Sequence, residues 1–102
     1  KHGSFFNAMK FILKKMEKKK NRKAIFVCSL SYKEKNKRIV VAEGKLNGNI
    51  STKITGKRGF GYDPIFIPLK NKITFGQMPK LKKIKMDHRY IAFQKLRRKI
   101  KI

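Results

Sequence analysis

Between Ala24 and Ile54 the chain alternates strand-like runs with links too short for anything but a reversal of direction. Ala24-Ile25-Phe26-Val27-Cys28-Ser29-Leu30-Ser31-Tyr32 reads as a strand. It opens on a continuous apolar run and then alternates, so its first half is expected to be buried on both faces. Lys33 to Lys37 is a polar turn, and Ile39-Val40-Val41-Ala42 through Leu46 is a second strand. Parallel neighbours need a crossover of roughly a dozen residues or more, so the short link favours an antiparallel pair. Gly44 inside the second strand marks a bulge or a close approach of another segment. Asn47-Gly48-Asn49 carries a turn signal, which either reverses the chain or bends a strand that continues from Ile50 to Ile54. Successive strands with short links predict an antiparallel meander.

Helices flank this unit. Phe5, Phe6, Met9, Ile12, Leu13 and Met16 recur at spacings of three and four, the apolar stripe of an amphipathic helix over 4–19 that faces a core. Ser4 suits its N-cap. At the other end Asp87 is the expected N-cap of a helix over 88–100, with Ala92, Phe93, Leu96 and Ile100 as its buried face. Between them lie a Gly-rich loop over 56–64, a short strand Ile65-Phe66-Ile67 closed by Pro68, and an extended piece at Thr74-Phe75. Pro79 opens a short helix or irregular loop over 80–85. The expected class is α/β: one small domain over residues 1–102, with a mixed, mostly antiparallel sheet between an N-terminal and a C-terminal helix. A chain of 102 residues has a marginal core, but 40% hydrophobic residues with eight Phe argue against disorder.

Charge bounds the partners. There are 29 Lys+Arg against 5 Asp+Glu, a formal net charge of +24. One reading is a polyanion partner such as RNA, DNA or a nucleotide. The other is compositional habit. Lys greatly outnumbers Arg and is joined by abundant Ile, Asn and Phe, whereas nucleic-acid readers favour Arg for planar, bidentate contacts. The compositional reading carries more weight. No apolar run approaches the roughly 20 residues that span a bilayer, and Phe11-Ile12-Leu13 meets Lys14-Lys15 too soon for a signal peptide. The lone Cys28 excludes an internal disulfide and fits a reducing cytoplasm.

Several familiar motifs fail. Gly56-Lys57 is no phosphate loop, because Ser51 stands where the first Gly belongs and Arg58 replaces the magnesium-binding Ser or Thr. Gly56, Gly59 and Gly61 are wrongly spaced for a dinucleotide fingerprint. Cys28 and the histidines lack zinc spacing. What remains is an aromatic loop and a basic cluster. Phe60 and Tyr62 flank Gly61, so backbone can approach a planar ligand while rings offer stacking surface; the bland alternative is core aromatics in a tight turn. Asp63, ahead of Pro64, either serves the ligand or satisfies backbone N–H groups as a turn-former. His88 can donate to or accept from a base carbonyl, Arg89 offers a rigid fork, and Lys83 suits a phosphate as a point charge.

Gly59-Phe60-Gly61-Tyr62-Asp63-Pro64-Ile65-Phe66, then Thr74-Phe75, Met78, Lys83, and His88-Arg89 with Ala92 resemble the C-terminal signature of the inosine/xanthosine triphosphate pyrophosphatases. Phe5 to Leu13, the strand from Ala24, and Gly44 to Ile54 fit the part of the family that precedes it. The resemblance covers essentially the whole chain, but only the C-terminal half of a family member. It implies half of an elongated two-lobed α/β fold, whose full-length form is a homodimer. It also implies hydrolysis of inosine, deoxyinosine or xanthosine triphosphate to monophosphate and pyrophosphate, using Mg2+. By the same resemblance Phe60 stacks on the purine, and Gly61, Tyr62 and Asp63 complete the base-side loop. Lys83 meets the phosphates or neighbouring ligand atoms, and His88 and Arg89 read the 6-keto group. The catalytic acids and magnesium ligands belong to the N-terminal half, so no catalytic or metal residue is assigned here and the chain alone is expected to lack turnover. Two positions depart from the family: Asp87 replaces its usual Ser, and Gln77, after Gly76, its usual Glu. The alternative is a small basic nucleic-acid-binding module, which would gather its Lys and Arg on one face.

Overall fold

The computed structural model describes residues 4–100. In order these form α1 (Phe5–Met16), β1 (Lys23–Lys33), β2 (Ile39–Ile50), a 3-10 turn (Asp63–Ile65), β3 (Phe66–Pro68), α2 (Lys80–Lys83) and α3 (His88–Ile100). The sheet runs β1-β2-β3 and both pairings are antiparallel. The long hairpin pairs Lys23 with Asn49 at one end and Lys33 with Ile39 at the other.

Several expectations are corrected. Asn47-Gly48-Asn49 does not reverse the chain but stays in β2, so residues 51–54 form no third strand; that place belongs to β3, where Gly48 pairs with Pro68. Gly48 is there for room: a Cβ would lie 2.5 Å from both the Phe66 ring and the Ile67 carbonyl oxygen. Ile65 falls in the 3-10 turn rather than in the strand. The start of β1 is not buried on both faces. It alternates, with Ile25 56% and Val27 50% exposed, because α3 covers one face only. Thr74 and Phe75 sit in a turn closed by Gln77 N–H to the Thr74 oxygen, 3.0 Å, rather than in an extended piece.

The helices behave similarly. Ser4 caps α1, its hydroxyl accepting from Asn7 N–H at 3.2 Å. Of the apolar stripe of α1 only Met9 is buried, joined by Ala8, while Phe5 and Phe6 are exposed, as is Phe11. Phe5 meets Tyr62 edge-on instead, with ring centroids 5.3 Å apart. On α3 the buried positions are His88, Ala92 and Leu96, a strict four-residue repeat that leaves Phe93 exposed rather than buried.

The core lies between the sheet and the segment that follows it. Phe66, Phe75 and Met78 are fully buried, with Ala24, Phe26, Leu46, Ile73 and Met86 packed around them. Phe26 stacks on Phe66 with ring centroids 3.9 Å apart. Each large side chain buried this way contributes about 1.5–3 kcal/mol. Gly44 is the expected close approach. A Cβ there would collide with the Ala92 nitrogen and the His88 carbonyl oxygen, so its absence lets the first turns of α3 rest directly on β2. No helix among the described residues is long and apolar enough to cross a membrane.

Candidate functional site

The loop ahead of the 3-10 turn is built around one carboxylate. Gly59 and Gly61 take positive φ, +74° and +63°, a region that side chains rarely occupy. Gly59 has a second reason to lack a Cβ, which would strike the Asp63 carboxylate. Asp63 Oδ2 accepts from Phe60 N–H at 2.9 Å and from Lys83 Nζ at 2.7 Å. The backbone carbonyl of Asp63 accepts from Gly76 N–H at 3.0 Å, and Arg58 N–H donates to the Gly76 oxygen at 2.8 Å. Asp63 is thus the turn-forming residue that one sequence reading allowed. Behind it, the Thr74 hydroxyl donates to the Thr55 oxygen at 2.7 Å, and Gln77 Oε1 accepts from Thr74 N–H at 3.0 Å. A Glu carboxylate would accept that bond equally well, so Gln77 keeps the local geometry.

The basic residues arrive from α2 and α3. Lys83, at the end of α2, is buried; its Nζ lies 4.4 Å from the centre of the Phe60 ring and 5.7 Å from that of Phe75. Arg89 places its guanidinium carbon 4.1 Å from the centre of the Phe60 ring. The ring therefore carries two cation–π contacts while remaining 58% exposed. Asp87 caps α3, its Oδ1 accepting from Tyr90 N–H at 2.9 Å, as the sequence pattern predicted.

His88 follows on the first turn of α3, buried, with its ring 4.9 Å from that of Phe26. Its Nδ1 is buried with no hydrogen-bond partner. Burial holds the imidazole below its ordinary pKa of 6.5, helped by Arg89 and Lys83 and opposed by Asp87 and Asp63. The ring is therefore neutral at neutral pH, with one donor and one acceptor nitrogen.

Phe60, Gly61, Tyr62, Asp63, His88 and Arg89 share the wall of one open cavity of about 320 Å³. Lys83, the seventh residue singled out from the sequence, stands behind that wall. Phe5, Ile25, Phe26 and Val27 complete it, and sequence reasoning assigned them only to helix and strand. Nothing in their spacing marks them, since the cavity brings together segments distant in sequence. A larger cavity of about 620 Å³ lies beside Lys23, Asn47 and Leu69. Lys23 is its one titratable group, so it offers far less chemistry.

The acidic residues are dispersed. Glu34 pairs with Lys37 and Glu43 with Lys45 on the surface, Asp63 with Lys83 inside, and Asp87 caps a helix. Among the described residues no group of three His, Cys, Asp or Glu could hold a metal ion, so these side chains do not fit a magnesium site. Exposed lysines stand on all three helices and on β1 and β2, rather than on one face.

Residues 1–99 match the sequence profile of the Ham1 family. A dITP/XTP pyrophosphatase of Ignicoccus hospitalis is 38% identical over 85 residues, 83% of this chain and 45% of the relative. One of Clostridium tetani is 34% identical over 100 residues, 98% of this chain and 50% of the relative. Among solved structures, the Staphylococcus aureus Ham1 protein superposes with a TM-score of 0.91 at 31% identity, covering 99% of this chain and 53% of that one. The chain spans about half the length of the curated relatives it matches.

Proposed function

This chain belongs to the Ham1 family, and from that premise we propose that it carries the base-recognition side of a pyrophosphatase for inosine and xanthosine triphosphates. One observation carries the reading: His88 and Arg89 line the same open cavity as the exposed Phe60 ring, with the Arg89 guanidinium carbon 4.1 Å from the centre of that ring. The ring offers a stacking face for a purine, with Gly61, Tyr62 and Asp63 closing the loop beside it. Arg89 and the N–H of a neutral His88 donate to the 6-keto oxygen of hypoxanthine or xanthine. The 6-amino group of adenine presents donors to donors. A buried donor left unpaired costs about 1–3 kcal/mol, which is roughly fivefold to a hundredfold in affinity. Guanine shares the 6-keto group, and its exclusion lies elsewhere in the pocket.

The reaction of the whole protein is cleavage to nucleoside monophosphate and pyrophosphate. The groups that bind Mg2+ and activate water are not among the residues described here, and no catalytic step is assigned to this chain. We infer that the whole protein is a magnesium-dependent, cytoplasmic homodimer, as the family resemblance implies. Alone, this chain binds nucleotide without turnover.

Calorimetric titration tests the reading. Inosine triphosphate is expected to bind about tenfold more tightly than adenosine triphosphate, from the cost of the unpaired donors. Arg89→Ala is expected to erase that preference while pyrophosphate release stays at background. Equal binding of the two nucleotides by the unaltered chain would sink the assignment of His88 and Arg89. A nucleic-acid module predicts instead tight, salt-dependent binding with no preference between the bases.

A further inference from the structure

Lys83 and Asp63 are an expensive arrangement for a small basic protein with lysines to spare. Both side chains are buried, their charges 2.7 Å apart. Replacing such a pair by apolar residues of similar volume is often neutral or stabilising, so the pair is weak evidence for stability and invites a functional account. A phosphate ligand needs its ammonium at the surface. The Lys83 ammonium instead lies against a carboxylate, with the rings of Phe60 and Phe75 over it, and takes no part in the cavity wall.

The bonds run in a chain. Lys83 holds Asp63 Oδ2, and the same oxygen holds the backbone N–H of Phe60. The ammonium also sits 4.4 Å from the centre of the Phe60 ring. The ring is half-exposed on a loop whose flanking residues, Gly59 and Gly61, lack any side chain to stiffen it. Without these contacts only the Arg89 guanidinium would hold it, and a stacking ligand would have to order it on binding.

We propose that Asp63 and Lys83 are positioning residues, a latch that fixes the backbone and ring of Phe60 so that the stacking platform is formed before the base arrives. This rests on the reading that Phe60 stacks on the base. It differs from the expectation that Lys83 touches phosphate: here Lys83 acts through Asp63 and Phe60.

The test compares two probes, inosine 5′-triphosphate and inorganic triphosphate, titrated by calorimetry into the 102-residue chain. The double variant Asp63→Leu/Lys83→Met removes the latch at nearly constant volume. It is expected to stay folded by circular dichroism and to lose about tenfold in affinity for inosine triphosphate, the cost of an unformed platform. Affinity for inorganic triphosphate is expected to be unchanged. Unchanged binding of both probes, or an equal loss for both, overturns the latch; the second result would make Lys83 a phosphate ligand. If the double variant does not fold, Asp63→Asn decides by the same criterion, since it keeps volume and an acceptor for Phe60 N–H while dropping the charge. Phe60→Leu separates the two levels. If it leaves inosine triphosphate binding intact, the stacking reading itself fails. If it weakens binding and the latch variants do not, only the latch fails.

Discussion

The sheet has a packed face and a bare one, and the two obey different rules. On the packed face, Ala24, Phe26, Cys28 and Leu30 of β1 lie across from Gly48, Leu46, Gly44 and Ala42 of β2. Two of those four β2 partners are glycines that admit neighbours to van der Waals distance: α3 over Gly44 and Phe66 over Gly48. On the bare face, Ile25, Val27, Ile39 and Val41 are about half exposed and share their rows with Lys23, Ser29, Ser31, Glu43 and Lys45. The difference teaches that the packed face sets where His88 and Arg89 stand, while Ile25 and Val27 of the bare face only add to the rim of the cavity. His88 and Arg89 hang from the start of α3, and α3 is placed by the absence of a side chain at Gly44.

Substitutions can break or sharpen that contrast. The largest effect is expected at Phe66→Ala, which empties the centre of the packed face at about 3–5 kcal/mol and leaves this small domain largely unfolded in a denaturant titration. Next is Gly44→Ala. Forcing a methyl group between β2 and the α3 backbone costs about 1–3 kcal/mol. Because α3 must lift, nucleotide preference should fall with it. Asp87→Ala removes the helix cap and costs about 1 kcal/mol, whereas Asp87→Ser, which supplies another oxygen acceptor, should change stability by only a few tenths. Acidification is a milder probe. His88 is held below its ordinary pKa of 6.5, so the unfolded chain takes up its proton first. The His88 contribution is therefore fully present above that value and is lost as pH falls through the lowered pKa. His88→Gln should flatten that part of a pH–stability curve measured by thermal melts. The smallest effect is expected at Val27→Thr on the bare face, within about 0.5 kcal/mol. A Val27 variant as damaging as Gly44→Ala would mean that this face is covered in solution.

The same contrast explains what the sequence made legible. Alternation from Ser29 onward and the five-residue link from Lys33 to Lys37 disclosed the hairpin, because period and reversal are local properties. Asp87 and Ser4 were readable as caps for the same reason. Ala24 to Cys28 misled: a continuous apolar run is ambiguous between a strand buried on both faces and one with an exposed apolar side. Phe93 misled too, since a helix crossing a strand at a glycine touches it along a narrow line through His88, Ala92 and Leu96.

Within the site, order and spacing drew attention to Phe60, Asp63, Lys83, His88 and Arg89, but could not say which would meet one another. That Asp63 gives its carboxylate to Lys83, and that Phe5 and the start of β1 close the cavity, are tertiary facts between segments far apart in the chain.

The central claim is that a purine base, and not phosphate charge alone, is recognised at Phe60, His88 and Arg89. Inosine, which carries the base without phosphates, tests it most directly when titrated into isotopically labelled protein and followed by NMR. The account predicts shifts concentrated on the Phe60 ring, the His88 imidazole and the Arg89 guanidinium, and little elsewhere. Unshifted resonances at these three residues under inosine, with nucleotides perturbing only the surface lysines, would contradict it.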